Sequence, residues 1–310
     1  MKALRYHSYG GPLVLDDVPE PVCGPDQVRV RTLASSVNPI DWKLHSGAIK
    51  WFRPVGRPAI PGLDVVGEVL ESQVAGVSVG DRVVARQAGL PGGVMAEQCV
   101  IDAEVLVPLP EGVSVEEAAG LPLAGMTALQ ALRDDCGMRL SGENRRVLVV
   151  GATGGVGHFA AQIAAASGAH LTVVCRPEVM PLGEARLIDY RQQDHFRTDA
   201  PYDLIIDCAA KAPWAAFREV LVPGGRLAQP TPSPGWLPAL LFAPLMSRKA
   251  RFTRLVPNAQ DLAWLMERLA DGRLRSVVGV RLPWTRLEEA WALNQTGGVA
   301  GKIVLTFDEA

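Results

Sequence analysis

Residues 146–168 read Arg-Val-Leu-Val-Val-Gly-Ala-Thr-Gly-Gly-Val-Gly-His-Phe-Ala-Ala-Gln-Ile-Ala-Ala-Ala-Ser-Gly. A short Val/Leu run predicts a buried strand, the glycines that follow predict a tight turn, and the Ala-rich stretch after them has the spacing of an amphipathic helix. The next apolar run, His170 to Cys175, reads as a second strand. Strand, helix, strand is the order of a parallel sheet covered by helices. The alternation goes on through YDLIIDCA (202–209), a helical run from Trp214 to Leu221, and GGRLAQP (224–230). The fold class that results is α/β, a doubly wound parallel sheet, with RFTRLV (251–256) as its outer strand.

The turn carries the first chemistry. Gly151 ends the strand, and Gly154 and Gly155 let backbone approach a pyrophosphate with no Cβ in the way. Gly157 lets the helix pack closely on the sheet. The helix N-terminus then offers N–H groups and a positive dipole end to the phosphates. Gly151, Thr153, Gly154, Gly155, Val156 and Gly157 are therefore the candidate cofactor-binding residues of the turn. A glycine trio alone also makes tight turns that bind nothing; a strand before it and a helix after it favour a dinucleotide. Ala152 stands where the first glycine of the usual GxGxxG spacing would fall. The second strand runs into Arg176 where an NAD site carries Asp or Glu, and a guanidinium there can pair with a 2′-phosphate, so NADPH is the expected cofactor.

Outward from this core the texture changes. Residues 1–122 consist of short β-rich runs broken by Gly, Pro and Asp, among them QVRVRTL, LDVVGEVLE, DRVVAR and EQCVI. They predict a mainly β domain, with the nucleotide domain over 123–256 and a C-terminal segment over 257–310. In that segment NAQDLAWLMERLADG has helical spacing at Leu262, Leu265, Met266 and Leu269, and GKIVLTF reads as a strand.

Composition narrows the classes. With 31 basic and 33 acidic residues and no charge block, nothing points to nucleic acid or to a polybasic membrane patch. The apolar stretch from Trp236 to Met246 is interrupted by Pro238 and Pro244 and is short of the roughly 20 residues that span a bilayer. The opening MKALRYHSYGGPLVL lacks an apolar signal core, so a cytoplasmic protein is expected. Five cysteines stand singly, without a CxxC pair, and the histidines at 7, 45, 158, 170 and 195 form no metal-binding spacing.

Further motifs stand in order along the chain: Val37-Asn-Pro-Ile-Asp-Trp-Lys43, Pro61-Gly-Leu-Asp-Val-Val-Gly67, Gly80-Asp-Arg-Val83, Leu121-Pro-Leu-Ala-Gly-Met-Thr-Ala-Leu129 and Gly301-Lys-Ile-Val304. With the glycine turn they resemble the medium-chain dehydrogenase/reductases, in their zinc-independent quinone oxidoreductase branch. The resemblance implies a GroES-like mainly β domain, completed by the C-terminal strand, into which a Rossmann domain is inserted, with the active site in the cleft between them. It implies Asn38 and Asp41 near the nicotinamide, Thr127 near the pyrophosphate or nicotinamide end, Arg176 and Tyr190 beside the 2′-phosphate, and Lys302 at the cleft. It also implies a homodimer and a small-molecule substrate, a quinone or an α,β-unsaturated carbonyl compound.

Zinc enzymes of the wider superfamily place a Cys, a His-Glu pair and a later Cys where this chain has Asn38, Leu63-Asp64 and Leu123-Ala124. Metal-free hydride transfer is the expectation. Asn38, Asp41 and Lys43 are the candidate catalytic residues, with Lys43 or His45 open as proton donors or as a solvated helix face. Trp42, Trp51, Phe52, Trp236, Leu240 and Phe242 are open as pocket lining or as core. Between Arg176 and Leu182-Gly183 the chain is about a turn and a half of helix shorter than the family's usual segment, and it holds Pro177 and Pro181. Two alternatives stand beside the reductase: an NADPH-binding sensor or structural protein with little turnover, and an enoyl-thioester reductase.

Overall fold

The computed structural model describes residues 1–176, 185–194, 196, 201–231 and 247–307. Pro177, Pro181, Leu182-Gly183, His195 and the residues Trp236, Leu240 and Phe242 lie outside the described residues. The chain divides into two compact units, residues 1–123 with 257–310, and residues 124–256.

In chain order the elements are β1 (Lys2–Arg5), β2 (Val14–Asp17), β3 (Gln27–Ser36), α1 (Pro39–His45), β4 (Asp64–Ser72), β5 (Arg82–Arg86), β6 (Gln98–Asp102), β7 (Leu106–Pro108), α2 (Val115–Ala119) and α3 (Pro122–Gln130). There follow β8 (Arg146–Val150), α4 (Gly157–Ala166), β9 (His170–Cys175), β10 (Arg186–Asp189), β11 (Tyr202–Asp207), α5 (Trp214–Val220), β12 (Leu221–Gln229) and β13 (Lys249–Phe252). The last four are α6 (Ala259–Ala270), β14 (Val278–Pro283), α7 (Leu287–Thr296) and β15 (Lys302–Thr306).

The first unit is built on a sheet of order β14-β15-β3-β4-β5-β7, with β6 also paired to β3. Strand β3 shows why it forms: Val28, Val30, Thr32 and Ala34 are buried on one face, while Arg29 and Arg31 on the other face Glu71 and Glu68 across the β3–β4 register. The C-terminal strand completes this N-terminal sheet, β15 running antiparallel to β3 with Val304 opposite Ser36. Helix α6 buries Leu262, Leu265, Met266 and Leu269, the i, i+3, i+4, i+7 set read from the sequence. The Asn258 side chain caps it by accepting from the Asp261 N–H at 2.7 Å.

The second unit carries a six-stranded parallel sheet of order β10-β9-β8-β11-β12-β13. Strand β8 is central and buried from Val147 to Val150, as the uninterrupted apolar run requires. Between β8 and β11 the strand order reverses, the topological switch point at which doubly wound sheets bind their ligands. The outer strand beside β12 is β13, Lys249–Phe252, so of the expected RFTRLV (251–256) only Arg251 and Phe252 are in the strand. Strand β10 is an addition to the sequence reading: ArgLeuIleAsp is too short to show a period, and only its pairing with β9 defines it.

Candidate active site

The glycine turn leaves the C-terminal end of β8 and enters α4. Gly151 has φ +78°, a left-handed conformation that a side chain would strain, and its N–H donates to the Val174 carbonyl at 2.9 Å. A Cβ on Gly157 would collide with the Gly151 carbonyl oxygen. The constraint at Gly157 thus comes from the turn itself rather than from the sheet. Over Gly154 a Cβ would meet only that same carbonyl oxygen, at 3.4 Å, so the space above the turn is open to a ligand. Thr153, Gly154, Gly155 and Val156 are half-buried, and Phe159, Ala160 and Ile163 of α4 are buried. A turn with open space over Gly154 at the start of a ten-residue helix suits a pyrophosphate.

The loop after β11 borders this turn. Cys208 N–H donates to the Val150 carbonyl, and the Asp207 carboxylate accepts from the Ala209 and Ala210 N–H groups at 3.0 Å and from the Gln229 amide at 2.5 Å. Ala210 has φ +52°, a strained conformation for a residue with a Cβ. On the outer side of the sheet, Cys175 of β9 is paired with Asp189 of β10. Arg176 and Tyr190 are the residues that follow this last pair.

A second polar cluster lies within the mainly β unit. Pro39 starts α1 and Asn38 precedes it in extended conformation, so the Asn38 N–H donates to Asp41 Oδ2 at 2.8 Å. The Asn38 side chain is saturated: Nδ2 donates to Asp64 Oδ2 at 2.8 Å, and Oδ1 accepts from the Lys302 ammonium at 2.5 Å. Lys302 also donates to the Val37 carbonyl at 3.0 Å and lies 3.9 Å from Asp64 Oδ2. Asp64 further accepts from Ser36 Oγ at 2.6 Å and from the Leu123 N–H at 2.9 Å. Asn38, Asp41, Asp64 and Lys302 are all buried. Burial pulls the Lys302 ammonium below its ordinary value against the opposing pull of Asp64 and Asp41. It drives the Asp41 carboxyl up to about 7, with Asp64 acting in the same direction and the Asn38 N–H, Lys302 and Arg86 against it.

Residues 24–111 match the family model described as alcohol dehydrogenase GroES-like domain, and residues 182–305 match the one described as zinc-binding dehydrogenase. The chain is 36% identical to the chloroplast envelope quinone oxidoreductase homolog of Arabidopsis thaliana over 98% of both chains. It belongs to the quinone oxidoreductase-like branch of the medium-chain dehydrogenase/reductases. Two solved quinone oxidoreductases share its fold. That of Coxiella burnetii is 27% identical, with a TM-score of 0.86 over 99% of both chains. That of Thermus thermophilus, also solved in complex with NADPH, is 29% identical, with a TM-score of 0.79 over 99% of this chain and all of the other.

Within this quinone oxidoreductase-like chain, the structure brings Asn38, Asp41 and Lys302 into one cluster. Arg176 and Tyr190 each follow the last residue of a paired strand, Cys175 of β9 and Asp189 of β10. Thr127 is buried on α3. Lys43 stands apart from the Asn38 cluster, half-buried on α1 with its ammonium 5.4 Å from the Trp42 ring, and its pKa is lowered by that burial. The His45 ring packs against Tyr6 and Trp291, and its Nε2 sits 2.7 Å from the Gly11 carbonyl. Trp51 and Phe52 are 86% and 83% exposed, so neither belongs to the core.

The zinc named by one family model does not suit the residues present. Leu63 and Ala124 offer no donor, and the oxygens of Val37, Asn38 and Asp64 already surround an ammonium. Among the described residues no group of three or more His, Cys, Asp or Glu is placed to hold a metal ion. Three participants are not among the residues named from the sequence: Ser36, Asp207 and Gln229. Ser36 is one of many serines. Asp207 had a sequence signal, a carboxylate ending the strand next to β8, the position that faces the switch point.

Proposed function

We propose that this chain is an NADPH-dependent reductase that delivers hydride to a quinone or an α,β-unsaturated carbonyl compound without a metal. The observation that carries the reading is the open glycine turn with Arg176, where NAD enzymes carry an acid, at the end of β9. The Thermus relative's complex with NADPH supports it.

The chemistry that NADPH supplies when bound is a hydride. The residues of this chain bind and orient. Gly151 to Gly157 receive the pyrophosphate, and Arg176, with Tyr190, pairs with the 2′-phosphate. The Lys302 ammonium fixes the Asn38 amide, whose Nδ2 is thereby aimed at Asp64, so the loop that opens α1 keeps one conformation. Lys302 takes the place of a metal here as the buried cation that balances Asp64. Alcohol oxidation, which needs a Lewis acid on the alcohol oxygen, is disfavoured by that donor set.

The test is loss of NADPH absorbance, with NADH in parallel, against benzoquinone, naphthoquinone, cyclohexenone, a 2-alkenal and a crotonyl thioester. Turnover of a quinone or enone with preference for NADPH is the expected result. Tight NADPH binding with no turnover of any acceptor would favour the sensor or structural reading, and turnover confined to the thioester would favour the enoyl-thioester reductase. Activity should survive chelators; loss restored specifically by zinc would refute the metal-free chemistry.

A further inference from the structure

The glycine turn can serve a pyrophosphate only if its peptides present their N–H groups, and glycine does little to decide which way a peptide faces. Between Gly154 and Gly155 neither flanking residue has a Cβ, so this peptide can turn over at small steric cost. It is trans, the cis bonds among the described residues being Arg57-Pro58 and Leu90-Pro91. A trans peptide points its carbonyl and its N–H in opposite directions. The direction of the Gly154 carbonyl therefore decides that of the Gly155 N–H.

That carbonyl is held twice, both times by His158 at the head of α4. The His158 backbone N–H donates to it at 3.0 Å, and the ring Nδ1 lies 2.9 Å from the same oxygen. A carbonyl oxygen only accepts, so Nδ1 carries the hydrogen and donates it. The ring is fully buried and packs on Phe159, with ring centroids 3.9 Å apart. A buried donor that leaves its acceptor goes unsatisfied, which keeps the ring on this carbonyl. The N–H groups of Gly155 and Val156 donate to no acceptor among the described residues.

Resting on the cofactor reading above, we infer that His158 is a positioning residue for NADPH: its Nδ1–H pins the Gly154 carbonyl toward α4 and so keeps the Gly155 N–H facing the pyrophosphate. Turned over, the same peptide would set a carbonyl oxygen against the phosphate oxygens, where like partial charges repel. The ring never touches the cofactor; it acts through one peptide. Its effect falls on the pyrophosphate, which NADPH and NADH share. The 2′-phosphate contact and the hydride step lie outside its reach.

Two variants test this: His158→Phe, which keeps a ring and loses the donor, and His158→Asn, whose side-chain amide can donate from near the place of Nδ1. In fluorescence titrations the Kd of NADPH and that of NADH should each rise about 10-fold in His158→Phe and return close to the wild-type values in His158→Asn. With saturating cofactor, kcat should be little changed. Adenosine 2′-phosphate, which lacks the pyrophosphate, should compete equally well on all three proteins. Unchanged NADPH binding by His158→Phe, no rescue by His158→Asn, or an equal loss of adenosine 2′-phosphate would overturn the inference and leave the cofactor reading intact. A wild-type protein that binds neither NADPH nor NADH would sink both. Should His158→Phe fail to fold, nitrogen-15 NMR of the wild type decides. On adding NADPH the Gly155 amide proton should move downfield while His158 Nδ1 keeps its hydrogen; an unmoved Gly155 amide or a bare Nδ1 overturns the proposal.

Discussion

Four residues, Asn38, Asp41, Asp64 and Lys302, show what burial does to charge. Lys302→Met would leave Asn38 Oδ1 and the Val37 carbonyl without their donor and two buried carboxylates short of a cation. Removing one partner of a buried ionic network costs about 3–5 kcal/mol, so urea denaturation of the variant should show a loss of that order, eased when Asp64→Asn is added. Asp41 makes a second prediction. Its folded-state carboxyl binds a proton more tightly than the unfolded chain does, because its pKa is raised to about 7. Stability is therefore full below the unfolded pKa, near 4, and is lost as pH rises toward 7. Between pH 5 and 7 the fall from this group alone is roughly 2 kcal/mol; denaturation curves of Asp41→Asn should lack it. The Asn-Pro-x-Asp spacing was legible in the sequence as a helix start, yet nothing in it showed that the Asn38 side chain is wholly engaged by β4 and β15.

At the scale of elements, the β8–turn–α4 unit was readable almost residue by residue, because an apolar run, a set of glycines and an Ala-rich stretch are local signals. Gly157→Ala tests it. The added methyl meets the Gly151 carbonyl, so the turn must open; about 1–3 kcal/mol of stability and an increase in the KM for NADPH are expected, measured by thermal unfolding and initial rates. Arg176→Ala should raise the KM for NADPH much more than that for NADH, roughly 10- to 100-fold for a lost charge-assisted contact of about 1.5–3 kcal/mol; an unchanged NADPH/NADH preference would remove Arg176 from the 2′-phosphate. That the chain positions of Arg176 and Tyr190 follow paired strands was less legible. It depends on β10, a four-residue strand that has no identity apart from the neighbour it pairs with.

For the whole molecule, β13 leaves one edge of the six-stranded sheet without a strand partner among the described residues, with Phe252 45% exposed. Edge strands of this kind pair with another chain unless charge or cover prevents it. A homodimer joined through RFTRLV is the expectation: light scattering should give twice the chain mass of 33.2 kDa, and Phe252→Asp should shift it toward monomer. The sequence by itself determined the class of fold, the glycine turn between β8 and α4, the order of the two architectures and the motifs that carry the family. Each of these rests on contiguous residues and on periodicities that the backbone imposes locally. Only the tertiary structure decided which distant groups share a buried site. Asn38, Asp64 and Lys302 are separated by up to 264 positions, and their meeting is set by the antiparallel pairing of β15 and β4 on β3. Asp207 and Gln229 likewise meet because β11 and β12 are parallel neighbours. The physical reason is the same in both cases. A hydrogen bond between side chains far apart in sequence leaves no period or spacing in the chain; it exists only once sheet register has brought its two ends to one place.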